Sequence, residues 1–456
     1  MAAFWLLGLI NNCAYVIMIA GANDISDGSV GLVYFCAIFP TLLVKLTCPY
    51  WFHYTSYNVR MWLIAILMGC AYTTVAFSSR RALQLLGVVF SALQGGLGEA
   101  SCLAMCTFFD SRAAITFWSS GTGFAGVAGY TWVGLLHILL GFTFRTTLLI
   151  ANATAVGWLL VYFMLLQPQT CAKRRIEGVV SLEARSSSEQ LQALEQNALS
   201  SEIPQHDDSS CLTERRPAES LLLLPSRSLD SGPASPSKHS QGVLAPQATT
   251  QRMDWRERYH RTVDLWPYMV PLTLVYFAEY AMQSGTWTAI GFPTDNATAR
   301  HQFYEVSNWC YQIGVFVSRS SGLLYQADRT VLWIMPGLQL GLLFFFLAVA
   351  VLHFWYNWWL LVPCLITGLL GGAVYVNAFT LLSREVQPCL QEFSLAAASL
   401  ADSVGIALAD ICGVLIQGCL FKANGLSGTG THCAVLKVLQ FQNEAVTGSH
   451  GPGSIA

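Results

Sequence analysis

Half of the charges in this chain are confined to about a fifth of its length. Residues 167–264 hold 12 of the 24 Lys and Arg and 13 of the 26 Asp and Glu, so the other 358 residues share 25. Two long stretches on either side are therefore almost uncharged. A soluble domain carries about 25% charged residues, against 11% here, which argues against a water-soluble enzyme. A net charge of −2 leaves no basic excess for nucleic acid. Apolar runs near 20 residues match what a bilayer core demands. Eleven such runs are read, over about 4–20, 31–47, 59–79, 82–108, 113–140, 145–166, 265–290, 303–325, 330–351, 357–382 and 391–420. Nothing basic precedes Phe4, so the first run is taken as a span rather than a signal peptide.

The expected fold is an all-α polytopic membrane protein of about 11 transmembrane helices. Its parts are a six-helix bundle over 1–166, a cytosolic and mostly disordered segment over 167–264, a five-helix bundle over 265–421 and a poorly structured tail over 422–456. Six spans, a long loop and five more spans form the layout of a two-bundle secondary transporter. With the N-terminus in the cytosol, 17 Lys and Arg fall in cytosolic connections, Lys45 and Arg60 among them, and six on the other side. The sequon Asn296-Ala297-Thr298 then lies on the non-cytosolic side and makes Asn296 a candidate glycosylation site. The fourteen cysteines show no ligand spacing; they are read as buried thiols acting as small apolar residues. No metal and no cofactor is expected.

The central segment is rich in Ser, Gln, Pro and Ala and cannot bury enough surface to offset its ordering entropy. Within it, Glu219 precedes four leucines, and Glu219 with Leu223 and Leu224 fits an acidic dileucine signal read by sorting adaptors. The plainer alternative is a transient apolar patch. Arg252 to Arg261 mixes basic and aromatic residues, as suits a segment at an anionic leaflet.

Ionisable groups at bilayer depth cost roughly 2.5–3.5 kcal/mol each on insertion scales, so those that occur are functional candidates. Glu99, Glu279, Arg319, Asp402 and Asp410 are the candidate substrate or proton pathway. Asp402 and Asp410, eight residues apart, fall about 80° around one helix and about 12 Å along it, and could line a cavity at two depths. Glu279 and Arg319 have opposite signs on neighbouring spans, and form either a buried packing pair or a gate. His137 either joins a relay or is simply hydrogen-bonded. Gly121-Thr122-Gly123-Phe124-Ala125-Gly126 matches a dinucleotide fingerprint in letters only; inside an apolar span its small residues serve close helix packing.

Several runs together resemble the battenin, or Batten-disease, family. They include Phe4-Trp5-Leu6-Leu7-Gly8-Leu9, Pro40-Thr41-Leu42 with Lys45, Gly96-Leu97-Gly98-Glu99 and Trp118-Ser119-Ser120-Gly121-Thr122-Gly123. In the second half they are Val275-Tyr276-Phe277-Ala278-Glu279-Tyr280, Ser318-Arg319-Ser320-Ser321, Gly371-Gly372-Ala373 with Tyr375-Val376-Asn377, and Glu392-Phe393 with Asp402 and Gly405. The resemblance covers residues 4–415. It implies a multi-pass lysosomal or vacuolar membrane protein with a major-facilitator-like fold, and roles in lysosomal pH, basic amino-acid balance and glycerophosphodiester export. The family's embedded Glu, Arg and Asp fall on Glu279, Arg319 and Asp402. Asn23 to Val30 is shorter than the family's first lumenal loop, and residues 422–456 do not follow the family. The expected function is secondary transport of small polar metabolites, with protons as the candidate coupling ion, in contact with the lipid bilayer. The alternative is a non-transporting regulator or scaffold of lysosomal trafficking and acidification. A membrane enzyme lacks any nucleophile–base or metal constellation.

Overall fold

The computed structural model describes residues 1–20, 30–166 and 253–426; the central segment with Glu219, Leu223 and Leu224, the 21–29 connection and most of the tail lie outside the described residues. Among the described residues every regular element is helical. The first half runs α1 (Ala2–Ala20), α2 (Val30–Trp51), α3 (Tyr57–Phe77), α4 (Arg81–Met105), α5 (Ser111–Val133) and α6 (Phe144–Leu166). The second holds a short α7 (Trp255–Val263), then α8 (Trp266–Ala281), α9 (Ala297–Ser320), α10 (Arg329–Leu352), α11 (Leu361–Glu385), α12 (Pro388–Ala398) and α13 (Leu400–Ala423).

Polar residues at the ends set the helix limits. Ser56, Asp110 and Asn296 each accept a backbone N–H of the first turn, at α3, α5 and α9, which satisfies donors that have no intrahelical partner. Eight helical segments among the described residues are long and apolar enough to cross a membrane. The spans that fall short are α5, α8 and α9. Their Ser, Thr, Gly, Tyr and charged residues lower the hydropathy because these helices face other helices and the interior as well as lipid.

Close packing follows the small residues. At Gly121 of α5 a Cβ would collide with the Trp5 carbonyl of α1, so these two helices touch backbone to backbone. Across the halves, α5 packs on α9 and α2 on α13. Three expectations change. The span read as 391–420 is broken at Ser399, whose hydroxyl donates back to the Ala396 carbonyl at 2.8 Å, so Asp402 sits in the first turn of a new helix, α13. Lys45 and Arg60, counted with the surface connections, are 1% and 3% exposed; α2 continues to Trp51 and draws Lys45 more than a turn inside. And Cys419 is disulfide-bonded rather than a free thiol.

The basic-aromatic segment before α8 forms α7. Trp255 and Tyr259 are exposed while Arg258 turns inward, donating from Nη1 to the Pro49 carbonyl of α2 at 2.7 Å. An exposed aromatic pair beside a buried arginine anchor suits a helix at the membrane surface.

A charged cavity between the two halves

A cavity of about 90 Å³, room for several waters at roughly 10–15 Å³ each, lies between the halves. Its walls come from α1, α2, α4 and α5 on one side and α8, α9, α11 and α13 on the other. These are the first, second, fourth and fifth spans of each half, the pattern expected of a site at the interface of two structural repeats. The helices α3, α6 and α10 contribute none of it. Asparagines supply polar wall from α1: Asn12 donates to the Thr122 carbonyl at 3.0 Å and Asn11 to that of Gly95 at 3.2 Å.

Lys45 closes the end of the cavity nearest the start of α13. Its ammonium donates to Glu99 Oε2 at 2.6 Å and to both oxygens of Asp402 at 2.8 and 3.1 Å. Lys45 and Glu99 belong to the first half and Asp402 to the second, so this cluster is a clasp across the interface. The break at Ser399 makes it possible. In the first turn of α13, Asp402 also accepts the Ser403 backbone N–H and hydroxyl, and its charge suits the positive end of the helix. Two carboxylates against one ammonium leave the cluster one negative charge in excess when all three are ionised.

Arg319 is held differently. Its Nη1 donates to the Thr122 hydroxyl at 2.6 Å, its Nη2 to the Tyr276 hydroxyl at 2.5 Å, and its guanidinium carbon lies 4.1 Å from the centre of the Tyr375 ring. No carboxylate among the described residues lies within ion-pair distance of it, and its buried Nε has no hydrogen-bond partner. The approach that places it there requires Gly372, where a Cβ would fall on Ser318 Oγ and lie 2.7 Å from the Val315 carbonyl. An arginine held by hydroxyls and a ring, with no carboxylate to balance it, carries a charge that an anion entering the cavity could neutralise.

The structure thus brings Glu99, Arg319 and Asp402 to one cavity and leaves Glu279 and Asp410 out of its walls. The expected Glu279–Arg319 pair is not formed. Glu279 is 1% exposed, accepts the Tyr311 hydroxyl at 3.0 Å on one oxygen, and has the other unpartnered beside Gly371. The reason is direction: Arg319 reaches toward α5 and Tyr276, whereas Glu279 faces α9 at Tyr311 and α11 at Gly371. Asp410, half-buried, lies farther along α13 than the cavity extends, so the two-depth arrangement with Asp402 is not realised. His137 is outside the walls as well; its Nδ1 is 2.7 Å from the Phe142 carbonyl. Residues that sequence reasoning missed are Lys45, Tyr276 and Tyr375. Lys45 was discoverable as a cation fifteen residues into an apolar run; the tyrosines stood only inside the runs that resemble the family, with no physical signal of their own.

A family model described as CLN3 protein matches residues 2–423, every part of this cavity included. The chain belongs to the CLN3 protein family. Among CLN3-family relatives, it is 29% identical over 430 residues to Protein BTN1 of Yarrowia lipolytica, covering 93% of this chain and 95% of that one. It is 31% identical over 428 residues to Protein btn-1 of Neurospora crassa, covering 91% and 87%, and 30% identical over 444 residues to Battenin of Canis lupus familiaris, covering 90% and 88%. Two solved structures share the fold of this CLN3-family chain. One is the major facilitator superfamily proton:xylose symporter XylE (TM-score 0.55, 10% identity, 90% of this chain and 86% of that one). The other is the human organic anion transporter MFSD10 (TM-score 0.52, 13% identity, 93% and 96%). The protein is therefore an all-helical, multi-pass membrane protein of major-facilitator-like, two-bundle architecture.

Proposed function

We propose that this chain is a secondary transporter of the lysosomal or vacuolar membrane, which moves small polar metabolites and so supports lysosomal pH and amino-acid balance. The observation that carries the reading is Arg319, a cation in the interbundle cavity held by hydroxyls and a ring instead of a carboxylate. That arrangement favours a substrate with an anionic group, so the phosphate of a glycerophosphodiester suits Arg319, where a basic amino acid would offer only its α-carboxylate. Both structural neighbours are titled as transporters, one of xylose with protons and one of organic anions, which supports a transporter reading without choosing the substrate. Glu99 and Asp402, with Lys45 between them, are the candidate proton-handling groups. Glu279 and Asp410 stay candidates for a proton pathway outside the cavity.

In this reading residues 1–166 and 265–421 are the bundles, 167–264 is the cytosolic linker and 422–456 the tail. Glu219, Leu223 and Leu224 address the protein through sorting adaptors. Asn296 carries a glycan: it is exposed, and its cap on α9 uses Oδ1 alone, which leaves Nδ2, the atom an N-linked glycan takes, unengaged. Efflux of glycerophosphodiesters and of basic amino acids is to be compared between intact lysosomes with the wild-type chain and with Arg319→Gln. Faster glycerophosphodiester efflux with the wild type is expected. Equal efflux of every metabolite, with function retained, would replace the transporter by the regulator or scaffold reading.

A further inference from the structure

The cavity holds two charged assemblies, the clasp at Lys45 and the anion seat at Arg319, and one side chain touches both. Tyr375 of α11 donates its hydroxyl to Glu99 Oε1 at 2.7 Å and accepts the Trp118 indole N–H at 3.3 Å. Its ring lies under the Arg319 guanidinium. It is 1% exposed and fixed edge-on by Phe379, ring centroids 4.8 Å apart. The hydroxyl thus spends its proton on Glu99 and accepts from Trp118, while the ring face is taken by a cation. Glu99 and Trp118 belong to the first half, and Arg319 and Tyr375 to the second.

We propose that Tyr375 is the positioning residue that couples occupancy of the Arg319 seat to the state of the Lys45 clasp. It rests on Arg319 as the seat of an anionic substrate. An anion that engages the guanidinium draws charge away from the ring face, where the attraction is electrostatic. The ring is then free to shift, and with it the hydrogen bond that holds Glu99. Glu99 and Asp402 share one ammonium, so a change at Glu99 alters how firmly Lys45 holds Asp402, the ion pair of the clasp that crosses between the halves. The path is short and made of direct contacts: guanidinium, ring, hydroxyl, carboxylate, ammonium, carboxylate. The groups that face it from the packed elements are Lys45 on α2, Glu99 on α4, Tyr276 on α8, Arg319 on α9 and Asp402 on α13.

Two measurements on the full chain test this. The first needs no substrate. Melting temperatures in lipid nanodiscs are read for Arg319→Gln, Asp402→Asn and the double variant, with Tyr375 and again with Tyr375→Phe, which keeps the ring and removes the hydroxyl. Departure from additivity by about 3 °C or more with Tyr375, vanishing with Phe, is the expected result for residues joined in one network. Equal departure in both backgrounds overturns the proposal, because the coupling is then through space. If Tyr375→Phe fails to fold, Glu99→Gln cuts the same path at its next link and is read in the same way.

The second uses proteoliposomes and a panel of glycerophosphodiesters and basic amino acids. For any compound carried, Tyr375→Phe should keep KM within about twofold, since the ring under Arg319 is intact, and lower the maximal rate about tenfold. Combining it with Asp402→Asn should lower the rate no further. A raised KM at unchanged rate, or rate losses that multiply, overturns the proposal. If the wild-type chain carries nothing, the transporter reading fails by itself and the melting cycle still decides the coupling.

Discussion

Lys45 and Arg319 are cations in one cavity, and they are kept there by opposite means. Lys45 meets two carboxylates at 2.6 and 2.8 Å and is almost fully buried. Arg319 meets two hydroxyls and an aromatic face, with a donor to spare. A buried charge needs a partner of opposite charge or well-placed dipoles. Lys45 has the first and is committed to holding the halves together. Arg319 has the second, weaker kind, and no carboxylate among the described residues balances its charge. Equal sign and a shared cavity thus do not give equal roles; the neighbours decide.

The largest effect should come from breaking the clasp. Lys45→Met leaves Glu99 and Asp402 buried and facing each other, and is expected to lower stability by about 3–5 kcal/mol, read as a fall in melting temperature of the purified protein. A loss below about 1 kcal/mol would mean the clasp is not closed. Next, Arg319→Lys keeps the charge and loses the planar fork. It should leave stability within about 1 kcal/mol and weaken anion uptake by roughly tenfold or more, measured as KM in proteoliposomes; a stability loss matching that of Lys45→Met would erase the contrast between the two cations. Gly372→Ala tests the seat without touching either charge. Its Cβ pushes against Ser318 and Val315, for about 1–3 kcal/mol, and the loss should fall on anion affinity while the Lys45→Met effect on stability is unchanged. The smallest effect belongs to an exposed pair. Arg329 is 61% exposed and donates to Glu385 at 2.9 Å; Arg329→Ala should cost under about 1 kcal/mol, and less still in high salt.

Much of the fold was legible before any coordinates. Charge confined to 167–264 and apolar runs of bilayer length leave few alternatives, because backbone groups in lipid must be satisfied within helices. The site was legible in part. Glu99, Arg319 and Asp402 stand out by the unfavourable transfer of a charge into an apolar span, and all three reached the cavity. The same criterion selected Glu279, whose side chain turns toward α9 and α11, and Asp410, which lies beyond the cavity along α13; a charge in an apolar run reveals neither its direction around the helix nor where a cavity ends. Lys45 was passed over because a cation near the end of an apolar run reads as a surface anchor until the helix is seen to continue to Trp51. The Glu279–Arg319 pairing failed for a related reason: neighbouring spans bring residues close in order, while rotation of each helix about its axis chooses the partner.

Sequence by itself determined that this chain is helical, crosses a membrane many times in two apolar halves, and carries a few charges too deep to be incidental. Those properties follow from composition and spacing, which are local. Only the tertiary structure decided that Lys45 closes on Glu99 and Asp402, that Arg319 is left to hydroxyls and the Tyr375 ring, and that Glu279 stands apart. These are contacts between residues up to 357 positions apart, set by the break at Ser399 and by helices that meet face to face. No local pattern records which faces those are.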